Sequence, residues 1–189
     1  MNLFEDKSIV NKDFTNDILE KGEYENCSFN NCNFFDADLS EILFVDCEFI
    51  NCNLSMARIN NTAFRKVKFK DSKLLGVDFE QSNNFAFEVS FADCALNNVS
   101  FYGIKLKNTV FADCLLIETD FSDSDLSNAK FIRCNLSGAI FDRTNLEKAD
   151  FSLSDNYIIN PENNNIKKAK FSQSGLAGLL MQYNIDIKG

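Results

Sequence analysis

Seven cysteines and twenty-eight carboxylates are the residues of this 189-residue sequence best suited to chemistry. Cys27 with Cys32, and Cys47 with Cys52, repeat a Cys-x4-Cys spacing, and four thiolates are a ligand set for structural zinc. Disulfides are the less favoured use of the same thiols, because the number is odd and a cytosolic chain keeps its cysteines reduced. There is no histidine, which removes the commonest general base and metal ligand and excludes His-dependent triads. The seven glycines are scattered, and only Gly175-Leu176-Ala177-Gly178 is locally enriched, so no loop is built to cradle phosphate. Carboxylates without a converging base or pocket lead to the expectation of no catalytic residue, no metal, no cofactor and no small-molecule substrate.

What positions these side chains is a repeat. Every fifth residue from Leu19 to Phe79 is large and apolar, and the phase resumes from Phe91 to Phe151 with Phe and Leu alternating. Two positions earlier lies a small residue, and all seven cysteines fall on that position. A period of five fits neither a helix nor an alternating strand. At spacing twenty, with two extra residues allowed between Phe69 and Phe91, one column reads Phe29, Phe49, Phe69, Phe91, Phe111, Phe131, Phe151 and Phe171. The same correction aligns Leu54, Leu74, Leu96, Leu116 and Leu136 on the next face. The extra residues predict an outward bulge within about 80–89, where Phe85 or Phe87 fills the missing central site. One column reads Cys32, Cys52, Ser72, Cys94, Cys114, Cys134 and Ser154. Ser standing in for Cys favours a size-selected filler over zinc, with the metal kept as the alternative.

A small residue, then Asp or Asn, then Leu or Phe, then two polar residues resembles the pentapeptide-repeat family, over about residues 12–171. The resemblance implies an all-β fold, a right-handed quadrilateral parallel β-helix with four pentads to a turn. About seven turns at the strand spacing give a coil of roughly 34 Å. Residues 1–13 are expected as an N-terminal cap with Phe4 and Ile9 as plugs, 14–171 as the coil, and 172–189 as a tail. In the tail, Ser174 is the expected N-cap of a short α-helix carrying Leu176, Leu179, Leu180 and Tyr183 on one stripe. Asn184 is its left-handed stop, and Ile185-Asp186-Ile187 reads as a short strand. This tail resembles that of the quinolone-resistance and microcin-immunity branch, which joins two coils end to end. The resemblance therefore implies a homodimer through Leu176, Leu179, Leu180, Tyr183, Ile185 and Ile187; a monomeric cap is the alternative.

Net charge is −9, which disfavours direct contact with nucleic acid or an anionic membrane. No signal-type segment or membrane span is read, so a cytoplasmic location is expected. Residues 1–50 hold twelve acidic and three basic residues, whereas the remaining 139 hold sixteen of each. Two residues after the Phe column stand Asp71, Asp93 and Asp113, followed by Arg133, a candidate acidic partner-binding row. Glu118, Asp120, Asp123 and Asp125 form a secondary cluster. Ordinary turn carboxylates on a soluble wall are the favoured reading of the row. The resembled branch implies a non-enzymatic DNA mimic that binds type II topoisomerase, DNA gyrase or topoisomerase IV, and so protects it from quinolones or a toxin. Against uniform mimicry stands the basic run Arg65-Lys66-Val67-Lys68-Phe69-Lys70. The competing reading is a rigid scaffold for an unrelated protein, using outward apolar residues such as Val110, Leu115, Ile117 and Ile132.

Overall fold

The computed structural model describes residues 2–186 and Lys188. Its backbone is a parallel β-solenoid of about eight turns. One face carries four strands, β1 (Asn2–Glu5), β3 (Gly22–Glu25), β5 (Leu43–Val45) and β7 (Ala63–Arg65). A second carries eight: β2 (Ser8–Val10), β4 (Ser28–Asn30), β6 (Glu48–Ile50), β8 (Val67–Lys70), β9 (Val89–Ala92), β10 (Val110–Ala112), β11 (Lys130–Asn135) and β12 (Asp150–Asp155). The remaining faces are joined by single parallel bridges such as Ala95↔Leu115 and Ser100↔Asp120.

The phenylalanine column is the spine of the larger sheet. Phe29, Phe49, Phe69, Phe91, Phe111 and Phe131 are successive register partners. Ring centroids from Phe29 through Phe171 are 4.5 to 5.5 Å apart, with the rings nearly parallel. Rings on adjacent faces meet edge-on, as Phe111 does Phe121 at 5.9 Å and 81°. Both geometries suit the aromatic quadrupole, so one ring shape repeated fills a narrow core without voids. Residues 2–13 follow the same ladder: Phe4 pairs with Tyr24, Ile9 with Phe29, and Phe14 stacks on Phe34 at 4.7 Å. Phe4, Ile9 and Phe14 are partly buried rungs that cover the ring below.

Most corners of the square place a residue in the left-handed region two positions after the central one. Asn31, Asp71, Asn108 and Asp123 take φ of 53°, 50°, 62° and 56° there. Short Asx side chains tolerate this conformation best, which accounts for many of the Asp and Asn at the corners. Gly138 does the same at φ 71°.

Several of the small interior residues have a second duty beyond size. Cys47 Sγ donates to Tyr24 O at 3.2 Å, Thr62 Oγ1 to Leu39 O at 2.7 Å, and Ser154 Oγ to Phe131 O at 2.8 Å. In each case the acceptor is the central residue's carbonyl one turn earlier. Cys, Ser and Thr therefore interchange because all three are small donors. Burial pushes the Cys47 and Cys52 thiols up to about 12, which keeps them protonated and poor as ligands or nucleophiles.

Two extra residues enter before β9. Ala63 pairs with Asn83 but Val67 with Val89, so six residues span what four span below. Phe87 turns inward and meets Phe64 and Phe79 edge-on at 6.2 and 5.8 Å. Phe85 points out, 72% exposed, with the Arg65 guanidinium 5.4 Å from its ring centre. Of the two rings, Phe87 takes the interior place.

The eighth turn is irregular but filled. Tyr157 and Ile159 are buried. Asn164 occupies the small position, donating to Phe141 O and Asn160 O and accepting from Thr144 N. The tail is not an α-helix. It forms two 3-10 segments, Ser174–Leu179 and Met181–Tyr183, preceded by Gln173 with no side-chain cap. Two glycines let it lie close to Tyr157: a Cβ on Gly175 would stand 1.8 Å from Tyr157 Oη, and one on Gly178 would stand 2.1 Å from Tyr157 O. Two glycines that let the tail lie this close also lower α-helical propensity. Asn184 does stop it in the left-handed region, at φ 48°. Ile185 and Asp186 form no strand, and Ile187 lies outside the described residues.

Candidate functional site

Asp71, Asp93 and Asp113 follow the central Phe69, Phe91 and Phe111 by two, so all three sit at one corner, with φ between 50° and 55°. Their amides donate to Ala92, Ala112 and Ile132 carbonyls of the next turn at 3.0, 2.9 and 2.8 Å. The backbone thus fixes the row while the carboxylates stay exposed. The row closes on Arg133, whose Nε and Nη2 grip both Asp113 oxygens at 2.6 and 2.5 Å. That guanidinium holds the Asp113 carboxyl below the usual carboxylate range. Among the described residues, no Lys or Arg lies within ion-pair distance of Asp71 or Asp93.

The secondary cluster is divided by the coil. Asp120 and Asp125 lie on walls and accept from the Ser122 and Ser127 amides at 2.8 and 3.0 Å. Asp123 and Glu118 are corner residues of successive pentads. Arg143 clasps Asp123 through both oxygens and, with the Tyr102 hydroxyl, lowers its pKa. Glu118 sits under Gly138, where a Cβ would come 3.2 Å from its Cγ.

Other ion pairs follow the same rule of twenty. Lys21 meets Glu41 at 2.9 Å, Lys68 meets Glu48 at 2.8 Å, and Lys170 meets Asp150 at 3.1 Å. The basic run is thereby partly absorbed, since Lys66 and Lys68 sit over Asp46 and Glu48. These pairs border an open groove of about 920 Å³ beside the bulge, which also includes Phe87, Glu88 and Lys107. The first turns contrast with this. Glu5, Asp6, Asp13, Asp17, Glu20, Glu23 and Glu25 make no ion pair among the described residues, and Glu5 and Glu25 are register neighbours. Asp13 instead accepts from the Thr15 amide, which lowers its pKa.

Two apolar surfaces stand out. In the tail, Leu176, Leu180, Tyr183 and Ile185 are exposed, while Leu179 packs on the core. On the larger sheet, Ala92, Ala112, Ile132 and Leu153 are successive outward partners. Leu115 lies around the corner and is 46% exposed. Sequence reasoning missed Leu153, Arg143 and the clasping role of Arg133. A twenty-residue look-back from Arg133 and Arg143 to Asp113 and Asp123 is the signal that finds the latter.

Comparison with known proteins bears on the whole chain. The family described as "Pentapeptide repeat region" matches residues 22–86 and 84–178. Among solved structures, the full-length plasmid-mediated fluoroquinolone resistance protein QnrB1 is 19% identical. That alignment covers 97% of this chain and 100% of that one, with a TM-score of 0.48. HetL from the cyanobacterium Nostoc sp. strain PCC 7120, involved in heterocyst differentiation regulation, is 10% identical over 89% of this chain and 85% of its own, TM-score 0.54. Rfr23 from the cyanobacterium Cyanothece 51142 is 13% identical over 90% and 88%, TM-score 0.19. A comparison with curated protein sequences finds no match.

Proposed function

Because the chain belongs to the pentapeptide repeat family, we propose that it is a non-enzymatic binding protein, whose partner is a type II topoisomerase, DNA gyrase or topoisomerase IV. Its acidic first turns enter the cationic surface that otherwise holds DNA. The observation behind this reading is the contrast in charge pairing. Seven carboxylates between Glu5 and Glu25 lack a cation, whereas the acidic residues from Asp36 to Glu48 are mostly answered from the turn above. A rigid rod of roughly 38 Å for eight turns presents that uncompensated end without conformational cost. The proposal includes a cytoplasmic location and a homodimer through the exposed Leu176, Leu180, Tyr183 and Ile185, which places the two acidic ends distally. Quinolone protection, the trait carried in the description of QnrB1, is the phenotype to test.

Supercoiling by purified gyrase, with and without ciprofloxacin, should change on adding micromolar protein. A quadruple Glu→Gln change at Glu5, Glu20, Glu23 and Glu25 should abolish that effect. An unchanged assay with the wild-type chain refutes the topoisomerase reading. A second reading, a rigid scaffold for a different protein, is favoured by the exposed Leu115 and Leu153 on the outer wall.

A further inference from the structure

We propose that the tail, residues 174–186, is a strap that lifts from the end of the coil and recloses while the coil stays folded, and that the buried hydroxyl of Tyr157 keeps it poised to lift. The device belongs to the chain itself and is independent of topoisomerase binding and of dimerisation.

The tail is held far more lightly than the turn beside it. Residues 165–170 share five backbone hydrogen bonds with the preceding turn: Asn165 N to Thr144 O, Leu146 N to Asn165 O, Lys148 N to Lys167 O, Lys170 N to Ala149 O and Phe151 N to Lys170 O. Among the described residues, 174–186 share one with the coil, from Ile159 N to Gly178 O at 3.1 Å. One side-chain bond joins it, donated by the Tyr183 hydroxyl to Glu162 at 2.8 Å on the exposed surface. No residue of the two 3-10 segments is fully buried, and among the described tail residues only Leu179 packs on the core. An open cleft of about 430 Å³, lined by Asp155, Asn156, Tyr157, Ser174, Gly175 and Gly178, separates the tail from the last turn. A segment with so few buried contacts and one backbone bond opens well before the body it rests on.

Tyr157 gives the opening a driving force. Its ring is fixed in the core against Phe151 and Phe171, with centroids 5.5 and 5.6 Å away. Its hydroxyl is sealed from solvent and has no hydrogen-bond partner. Gly175 lies so close over it that a methyl group there would collide with the phenol. A buried hydroxyl without a partner forgoes the hydrogen bonds that water supplies once it is uncovered. The docked tail therefore sets two hydrogen bonds and the packing of Leu179 against an unsatisfied oxygen and the lost freedom of the segment. Lifting it returns the hydroxyl to solvent and uncovers Tyr157 and Ile159, both buried in the closed form. The ladder beneath keeps all of its own bonds.

Amide hydrogen exchange on the full chain, followed residue by residue by NMR, tests this. The Ile159 amide reports docking because its acceptor is Gly178 O, and the Lys170 and Phe151 amides, bonded within the coil, are the reference. Ile159 should exchange roughly a hundredfold faster than either, at a rate independent of protein concentration. Tyr157→Phe deletes the unsatisfied oxygen and keeps the ring, so it should slow Ile159 exchange about threefold or more. The Lys170 and Phe151 rates should not change in that variant, which shows that the coil is intact. Equal rates at Ile159, Lys170 and Phe151 would place the tail in the coil's own unfolding unit and overturn the proposal. Unchanged or faster Ile159 exchange in Tyr157→Phe overturns it too, because the hydroxyl is then no lever. So does protection at Ile159 that rises with protein concentration, since a second copy would then be what holds the tail.

Discussion

Two faces of the same coil respond differently to one interruption. The eight-stranded face passes from β8 to β9 with Phe69 directly beneath Phe91. The four-stranded face stops at β7, because residues 84–86 swing out before the chain rejoins at Val89. Identical pentad chemistry thus yields an unbroken ladder on one side and a projecting aromatic on the other. The difference teaches that stability here is nearest-neighbour and counted face by face. An insertion is tolerated when its register shift is confined to one face and one ring, Phe87, is returned to the interior.

Truncation tests this contrast most strongly. Phe111→Ala, in the middle of the continuous ladder and fully buried, should cost about 3–5 kcal/mol, because a regular coil cannot collapse into the cavity. Denaturant unfolding measures it, and a loss under about 1 kcal/mol contradicts the packing described. Phe87→Ala should cost less, roughly 1–3 kcal/mol, since that ring is only partly buried. Phe85→Ala should change stability by no more than about 0.5 kcal/mol, the exposed ring contributing a contact with Arg65 alone. A Phe85 effect equal to that of Phe87 would erase the distinction between the two.

The tail supplies a test of intermediate kind. Gly178→Ala places a methyl against the Tyr157 carbonyl, so limited proteolysis should release the last residues faster while the coil's melting temperature stays close to wild type. Charge gives the smallest effect. Asp113 and Asp123 have folded pKa values lowered first by Arg133 and Arg143 respectively. A lowered folded value stabilises above the unfolded carboxylate pKa, about 3.9, and that contribution disappears as pH falls through the folded value. The double change Arg133→Gln, Arg143→Gln should therefore lower the melting temperature slightly at pH 7, with the gap closing below the folded pKa. Both carboxylates are exposed, so added salt should narrow the gap as well.

Much of this architecture was legible because a period of five, corrected by two, is a count that needs no coordinates. The column from Phe29 to Phe171 follows from it. The tail was misread for a physical reason: Leu176, Leu179, Leu180 and Tyr183 make an i, i+3, i+4, i+7 stripe whether hydrogen bonds span three residues or four. The tail's close approach is of Gly178 to Tyr157, twenty-one residues apart and outside any local pattern. The acidic corner was legible as a line, but not its split into a clasped Asp113 and unclasped Asp71 and Asp93, because that depends on where a guanidinium reaches. The donor role of the small residues was hidden for the same reason: composition at that position shows volume, whereas direction appears only with the carbonyl it faces.

The hydrogen bonds from Cys47, Cys52, Thr62 and Ser154 to the central residue twenty-three earlier all point back toward the N-terminus. In these four side-chain bonds the acceptor lies on chain already made. Contacts so near in sequence keep loop closure inexpensive. A growing chain emerging from a ribosome can therefore set each new turn upon a finished one, so that order of synthesis and order of assembly coincide.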